Sequence, residues 1–210
     1  MEQNKQRIVV KVGTSTLTHN SGALDLWSME HLVRTLADLQ GMGHEVILVS
    51  SGAIAVGTAK LGLSERPKEL RMKQAAAAVG QCRMMHIYDK FFSEYNRSMA
   101  QILLTGDDVE DPERAEHLSN TFSALLEMGV IPVVNENDSV SSAEIETGRH
   151  KVLGDNDTLS AIVAELCRAD LLVLLSDIDG LYDADPKTHP EAKLLHQVTG
   201  LTPEILEMAG

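Results

Sequence analysis

The sequence predicts an α/β protein, a three-layer α/β/α sandwich built on a mainly parallel central sheet. Five short apolar runs alternate with amphipathic stretches of helical period. This alternation is typical of β-α-β units, whose right-handed crossovers make neighbouring strands parallel. One run, Glu45–Ser50, is apolar almost throughout, as expected of a strand that is covered on both faces.

The first half of the chain predicts two strands and two helices. Arg7–Val12 is an apolar strand that ends at Gly13. Side chains spaced three and four apart then predict a helix that ends at Gly41; they are Met29, Leu32, Val33 and Leu36. After the strand Glu45–Ser50, the alanine-rich stretch Gln74–Val79 lies in a long helical region that runs to about Tyr95.

The second half predicts three strands and two more helices. The strands are Ala100–Leu104, Val130–Asn135 and Leu171–Ser176. A helix that is closed by Gly129 separates the first two, and its apolar face consists of Leu118, Phe122, Leu125 and Leu126. Another helix covers Thr158–Arg168. Because the chain contains no repeat, linker or low-complexity segment, we expect one domain.

The composition is that of a folded globular protein. Of 210 residues, 43% are hydrophobic and 23% are charged, which are ordinary values for a chain that buries a core. Aromatic residues make up only 3%, so the core must be mainly aliphatic. Eighteen Lys and Arg against 31 Asp and Glu give a net charge of −13. This charge argues against nucleic acid as a partner, since such proteins bind phosphates through basic side chains.

The N-terminus and the cysteines favour a cytoplasmic location. Residues 1–7 precede no apolar signal segment, and the aliphatic run Leu171–Leu175 is far shorter than a membrane span. Cys82 and Cys167 lie in apolar helical stretches and form no Cys-x-x-Cys motif. We therefore expect two buried free thiols and no membrane partner.

Small and polar residues follow four of the predicted strands. In parallel sheets, ligands bind outside the carboxyl ends of the strands, where backbone N–H groups and helix N-termini attract anions. The four segments are Lys11–Ser15, Ser50–Ala53, Asn135–Asp138 and Ser176–Asp177. The sequence therefore predicts a small-molecule site at this edge, although neither a P-loop nor a dinucleotide-binding motif occurs.

Two of these residues each have two interpretations. A lysine within an apolar strand is costly to bury unless it meets an anion, and Gly13 beside Lys11 would let a phosphate approach the backbone. Alternatively, Lys11 lies on an edge strand and extends its amine to water. Ser51 either caps the helix that follows it or holds a ligand carboxylate in its turn.

Two dense polar clusters exceed what local structure requires. Asp155, Asn156 and Asp157 precede a helix that needs only one capping residue. Two carboxylates around an amide can position an ammonium group, Mg²⁺ or a lysine. Asn135–Asp138 follows a strand, where a turn needs only one Asn or Asp. Together the clusters suggest recognition of a small zwitterion beside a phosphate site.

In chain order, these motifs resemble the amino acid kinase family. The matching segments are VVKVGTSTL (9–17), ILVSSGAIAVG (47–57), KQAAAAVGQ (73–81), IPVVNENDSV (131–140), GDNDTLSA (154–161) and LLSDIDGLYDADP (174–186). The NEND and GDND pair resembles the branch that phosphorylates the γ-carboxylate of L-glutamate, the first step of proline synthesis. The resemblance implies ATP and Mg²⁺ as cofactors, proline as a feedback inhibitor, and a homodimer or homotetramer.

The resemblance also implies roles for individual residues. Lys11 and Asp157 would be catalytic, and Asp155 and Asp157 would be candidate magnesium ligands. The residues implied for glutamate binding are Ser51, Asn135, Asp138, Asp155 and Asn156. Those implied for ATP binding are Lys11, Gly13, Thr14, Ser15, Ser176 and Asp177.

The sequence departs from the family in two places. Residues 137–154 predict an exposed hairpin with an apparent insertion at Glu146–His150. The chain also ends at Gly210, where the family continues to a glycine-rich nucleotide loop with a second lysine. We therefore expect residues 1–210 to be a kinase domain truncated before that loop and before the last strands of the sheet, with no RNA-binding-like C-terminal domain.

Two other functions are compatible with the same motifs. One is a different member of the amino acid kinase family, which substrate preference would distinguish. The other is a catalytically silent module that binds glutamate or proline. The presence of Lys11, which is useful chiefly for phosphate, favours a kinase over such a module.

Overall fold

A five-stranded sheet organises the larger part of the chain. The computed structural model describes residues 5–19, 21–140 and 156–209. All paired strands of the sheet are parallel, in the order β3-β4-β2-β1-β5. The strands are β1 (Arg7–Val12), β2 (Glu45–Ser50), β3 (Met99–Leu104), β4 (Ile131–Glu136) and β5 (Leu171–Leu175). The five predicted strands and their parallel arrangement are thus confirmed.

Helices connect the strands, and four of the longer ones are those the sequence predicts. They are α1 (Thr14–Leu17), α2 (Leu26–Gly41), α3 (Ala53–Lys60), α4 (Leu70–Glu94), α5 (Gly106–Glu110), α6 (Pro112–Glu127), α7 (Asn156–Leu166) and α8 (Pro203–Ala209). Helix α4 begins earlier than the alanine-rich stretch suggests. None of the described helices combines the length and the apolar character that a membrane crossing requires.

Two apolar clusters cover the two faces of the sheet. One joins β1 and β2 to α2, α3 and α4, and the other joins β2 and β4 to α6 and α7. Alternate side chains of one strand enter opposite clusters, as with Val10 and Val9 of β1. This three-layer arrangement is the predicted α/β/α sandwich.

The cysteines differ in exposure. Cys167 is buried, as predicted, and burial raises the pKa of its thiol to about 12. Cys82 is exposed, so the prediction that both thiols are buried is wrong for this residue. Its neighbours Gln81 and Met84 point into the core, whereas Cys82 lies on the outer face of α4. A mainly apolar stretch of helix therefore does not by itself bury every position.

Helices α3 and α4 pack so closely that their contact requires glycine. A Cβ atom at Gly57 would lie 1.7 Å from the carbonyl oxygen of Ala76, and one at Gly80 would lie 1.8 Å from that of Ala53. Neither distance is compatible with a side chain. The contact fixes the start of α3, which directly follows β2, against the middle of α4.

The chain divides into two compact units after Leu175. In the second unit, Tyr182 and Leu194 form an isolated antiparallel bridge, and the backbone N–H of Lys193 donates a 2.7 Å hydrogen bond to Asp183. Helix α8 belongs to this unit. The insertion at Glu146–His150 lies outside the described residues, as does the predicted hairpin of residues 137–154 except for its first four residues.

Candidate active site

The carboxyl ends of β1, β2 and β4 and the start of α7 surround one cavity of about 310 Å³. Its volume is at the lower end of those of small-molecule pockets. The residues that line it are Lys11, Gly13, Thr14, Ser51, Glu136, Asp138 and Asn156. The sequence motifs that follow three separate strands therefore meet at the edge where ligands of parallel sheets bind.

Lys11 is held inside the sheet by an ion pair. β1 lies between β2 and β5, so the interpretation of Lys11 as an edge-strand lysine is wrong. Its Nζ atom lies 2.6 Å from Oδ1 of Asp157 in the first turn of α7. The side chain of Lys11 is 13% exposed and that of Asp157 is 53% exposed. The pair offsets the cost of burying the ammonium group and leaves Asp157 accessible from solvent.

The turn after β2 faces α7 instead of capping α3. Gly52 is the N-cap of α3 and has a φ of 100°, a left-handed conformation that favours glycine. Among the residues that the structure describes, no side chain caps this helix end, so the interpretation of Ser51 as a cap is wrong. The Ser51 hydroxyl instead accepts a 2.5 Å hydrogen bond from the side-chain amide of Asn156. Ser51 and Asn156, predicted from separate motifs, are therefore direct partners.

The segment after β4 divides between the core and the cavity. Asn135 is 2% exposed, and its Nδ2 atom donates a 3.0 Å hydrogen bond to Oε1 of Gln81 in α4. It does not line the cavity, whereas Glu136 and Asp138 do. The backbone N–H of Asn137 donates a 2.7 Å hydrogen bond to the carbonyl oxygen of Leu104, at the end of β3. The turn is thus attached on both sides.

A second buried polar contact supports the end of β2. The hydroxyl oxygens of Ser50 and Tyr88 lie 2.9 Å apart, and both side chains are fully buried. Burial raises the pKa of Tyr88, and the hydrogen bond with Ser50 opposes that change only in part. The phenol therefore stays protonated at neutral pH. Through its hydrogen bond, Tyr88 holds Ser50, the residue before Ser51.

The structure brings together six of the predicted site residues around the cavity, and Asp157 beside them through Lys11. Ser15 is exposed and does not line the cavity. Ser176 and Asp177 are exposed at the start of the second unit. Asp155 lies outside the described residues. Glu136 was not among the predicted site residues, although it follows Asn135 in the same cluster; the alternation of side chains along β4 was the signal for it.

A magnesium ion bound through phosphates would fit the described residues. They contain no group of three or more His, Cys, Asp or Glu side chains arranged to hold a metal ion by themselves. Mg²⁺ at phosphate sites needs only one or two protein carboxylates, because phosphates and water supply its other ligands. The half-exposed carboxylate of Asp157 beside Lys11 meets that requirement.

The fold and the site define the class of protein. They are those of an α/β phosphotransferase with its site at the carboxyl ends of parallel strands. The family model "Amino acid kinase family" matches residues 6–208. The chain belongs to the amino acid kinase family and, within it, to the glutamate 5-kinases, since relatives of that name are more than half identical to it.

Two relatives illustrate the likeness. Glutamate 5-kinase of Clostridium perfringens is 54% identical over 208 residues, which are 99% of this chain and 77% of that protein. Glutamate 5-kinase of Clostridium tetani is 53% identical over 98% of this chain and 74% of its own length. The chain therefore spans about three quarters of the length of these relatives.

A solved structure confirms the fold. UMP kinase from Ureaplasma parvum superposes with a TM-score of 0.61 at 15% identity, over 99% of this chain and 86% of that one. At this identity the likeness concerns the arrangement of strands and helices alone.

Proposed function

We propose that this protein transfers the γ-phosphoryl group of ATP to the γ-carboxylate of L-glutamate, the first step of proline biosynthesis. One observation carries the proposal: Lys11, two carboxylates and an amide line the same cavity. A zwitterion and a phosphate group need this combination of charges side by side. The identity of more than 50% to glutamate 5-kinases supports glutamate as the amino acid.

The side chains divide between the two substrates. The carboxylates of Glu136 and Asp138 attract the ammonium group of an amino acid, which would be repelled by Lys11. The hydroxyl of Ser51 and the amide of Asn156 can donate to a substrate carboxylate once they separate from each other. We also assign Asn135 and Asp155 to glutamate, Asn135 acting through the turn that it begins.

The phosphates of ATP belong beside Lys11. Gly13 and Thr14 line the cavity next to it, and small residues there allow backbone N–H groups to contact phosphate oxygens. A Cβ atom at Gly13 would lie 3.7 Å from Nζ of Lys11, so this backbone position directly adjoins the ammonium group. We extend the nucleotide site to Ser15, Ser176 and Asp177 on the family resemblance.

The reaction needs positioning more than acid-base chemistry. An oxygen of the γ-carboxylate forms a bond to the γ-phosphorus while the bond from that phosphorus to the leaving oxygen of ADP breaks. Because the attacking carboxylate is already ionised at pH 7, no general base is required. The ammonium group of Lys11 stabilises the negative charge on the transferring phosphoryl group. Asp157 keeps the ammonium group in place through the ion pair.

Magnesium supplies charge neutralisation on the phosphates when it is bound. Asp157 is the described carboxylate beside Lys11 that would hold it, and we assign Asp155 the same role. Within this arrangement Asp157 has two functions: it orients Lys11, and its half-exposed carboxylate would contribute to the magnesium site.

The test measures formation of an acyl phosphate, trapped with hydroxylamine, by the full-length protein. We expect product only with both L-glutamate and ATP. Asp138→Asn should raise the KM for glutamate at least about tenfold, because one lost charge-assisted contact costs about 1.5–3 kcal/mol. The KM for ATP should change little. Asp89→Asn, the same change on the exposed face of α4, is the matched control.

The alternatives give different results. Folded protein that binds glutamate without turning over ATP would be a silent binding module. Turnover with another acceptor in preference to glutamate would indicate a different member of the amino acid kinase family. Either result contradicts the proposal.

We further propose proline as a feedback inhibitor, a homodimer or homotetramer as the assembly, and the cytoplasm as the location. The first two rest on the family resemblance, and the location rests on the N-terminal sequence and the two cysteines. Competition between proline and glutamate in the same assay, and sedimentation equilibrium of the purified protein, test the first two. A kinetic pattern in which glutamate does not relieve inhibition would contradict a shared site.

A further inference from the structure

Gln81 is a buried polar residue for which the proposed reaction has no use. Its side chain lies in the middle of α4 and is 7% exposed. Oε1 accepts the 3.0 Å hydrogen bond from Asn135, but Nε2 has no hydrogen-bond partner among the described residues. A buried amide that is only half satisfied calls for an explanation.

Packing alone does not explain this side chain. An unpaired buried donor is unfavourable, and methionine has a similar shape without one. Replacement by methionine would also leave Nδ2 of Asn135 unpaired, so one orphan donor exists before the change and one after it. The change to methionine should therefore lower the free energy of unfolding by no more than about the contribution of one hydrogen bond.

The position of Gln81 gives it control over the turn after β4. Gly80, its neighbour, packs against the backbone of Ala53 and so fixes this part of α4. Gln81 holds Asn135, which directly precedes the cavity residue Glu136. Beyond it, the bond from Asn137 to Leu104 holds the other end of the turn. These two hydrogen bonds link the segment that carries the cavity carboxylates to α4 and to β3.

We propose that Gln81 is a positioning residue that, through its hydrogen bond to Asn135, fixes the turn bearing Glu136 and Asp138 and thereby sets the affinity for the amino-acid substrate. The proposal rests on the proposed function of the cavity. Without this bond the amide of Asn135 can rotate, and the turn loses its hydrogen bond to α4. Small displacements of positioning groups have large effects on reactions between two bound substrates.

The test is steady-state kinetics of full-length Gln81→Met and Gln81→Glu. We expect Gln81→Met to raise the KM for glutamate by about tenfold or more, with the KM for ATP within about twofold and the melting temperature nearly unchanged. Gln81→Glu keeps an acceptor for Nδ2 of Asn135, although it buries a carboxylate, and its KM for glutamate should lie between those of wild type and Gln81→Met. If Gln81→Met does not fold, Gln81→Asn, whose amide is one methylene short, takes its place.

Met84→Ala is the matched control for a merely structural effect. Met84 is fully buried one turn further along α4, and its truncation destabilises the helix packing while it leaves both partners of the hydrogen bond between Gln81 and Asn135 in place. An equal rise in the KM for glutamate in Met84→Ala, or an unchanged KM in Gln81→Met, would overturn the inference. Either result overturns the role of Gln81 while the wild-type protein still phosphorylates glutamate. If the wild-type protein does not phosphorylate glutamate, the proposed function itself is refuted.

Discussion

A lysine in the interior of a parallel sheet is tolerated only with an anionic partner, and Lys11 has Asp157 at 2.6 Å. Lys11→Met preserves the length of the side chain and removes its charge. We expect kcat to fall by about 10²–10³, the loss measured when one donor to a transition-state anion is removed. Affinity for glutamate should change by less than about threefold, because Asp138, Ser51 and Asn156 remain.

Lys5→Met is the control for this prediction. Lys5 precedes β1 at its opposite end, where it pairs with Glu45 and is 63% exposed. Its loss should leave kcat unchanged, because Lys5 lies at the end of β1 opposite to the cavity. The fold should also persist, since an exposed ion pair contributes about 1 kcal/mol or less to stability. Retention of more than about a tenth of the wild-type kcat in Lys11→Met would contradict the assignment. The readout is single-turnover transfer at saturating ATP.

At the scale of single residues, chemistry could be predicted from the sequence but orientation could not. The cluster Asn135–Asp138 was recognised as functional from its composition. Which of its side chains enters the cavity depends on the register of β4, and register is set by the whole sheet. Asn135 therefore points to α4, and Glu136 points to the cavity. The role of Ser51 was also ambiguous, because its hydrogen-bond partner Asn156 is 105 residues away in the sequence.

At the scale of elements, the contact between α3 and α4 is the most demanding. Gly80→Ala places a Cβ atom 1.8 Å from a carbonyl oxygen of α3, so the helices must separate. We expect a net loss of at least about 2 kcal/mol in the free energy of unfolding, although alanine favours the helix itself by about 1 kcal/mol. Urea denaturation measures this loss. Ala78→Ser, on the exposed face of α4, should cost less than about 1 kcal/mol; equal losses would show that the contact is not tight.

Helix α5 provides a prediction about pH. Asp108 accepts hydrogen bonds from the side chain and the backbone N–H of Thr105. The Thr105 side chain in turn accepts one from the backbone N–H of Asp108, which completes a capping box. The hydrogen bond from the Thr105 side chain is the main reason that the pKa of Asp108 lies below its ordinary value of 3.8. A lowered pKa in the folded state means that the ionised carboxylate stabilises the fold. Its contribution is complete above about pH 5 and is lost as the pH falls through the lowered pKa.

Asp108→Ala should therefore cost about 1 kcal/mol at pH 7, as loss of a capping group usually does. The difference from wild type should shrink below about pH 4, because protonation weakens the same contacts in the wild type. Urea denaturation between pH 7 and pH 3 measures it. Glu110→Ala removes a carboxylate from the same helix outside the capping box. A pH profile identical to that of Asp108→Ala would contradict the explanation.

The longer elements were predictable because each carries its own hydrophobic period. The strands are apolar runs bounded by glycine or polar turns, and α2 and α6 have continuous apolar faces. Helices α1 and α5 have only four and five residues, too few for a period to appear. The close approach of α3 to α4 depends on Gly57 and Gly80, and glycine within a helix indicates such a contact only when the partner helix is known.

At the scale of the whole molecule, the order of the strands decides which motifs meet. The alternation of strands and helices predicts a parallel sheet, but not that β1 lies between β2 and β5. That order places Lys11 in the interior and brings the ends of β1, β2 and β4 to one cavity. All seven residues that line the cavity belong to the larger compact unit. Binding of the amino acid should therefore be linked to the stability of that unit.

L-Glutamate should raise the stability of the larger unit by mass action. At 100 times its Kd, a ligand that binds only the folded state adds about 2.7 kcal/mol, which corresponds to a rise of about 5–10 °C in Tm for a unit of this size. If the two units melt separately, only the transition of the larger one should move. Asn156→Ala should reduce the shift to about half or less at the same glutamate concentration, whereas Asn120→Ala, on the exposed face of α6, should preserve it. Calorimetry with D-glutamate provides a ligand of equal charge, and an equal shift with it would mean that the cavity attracts charge without recognising the substrate.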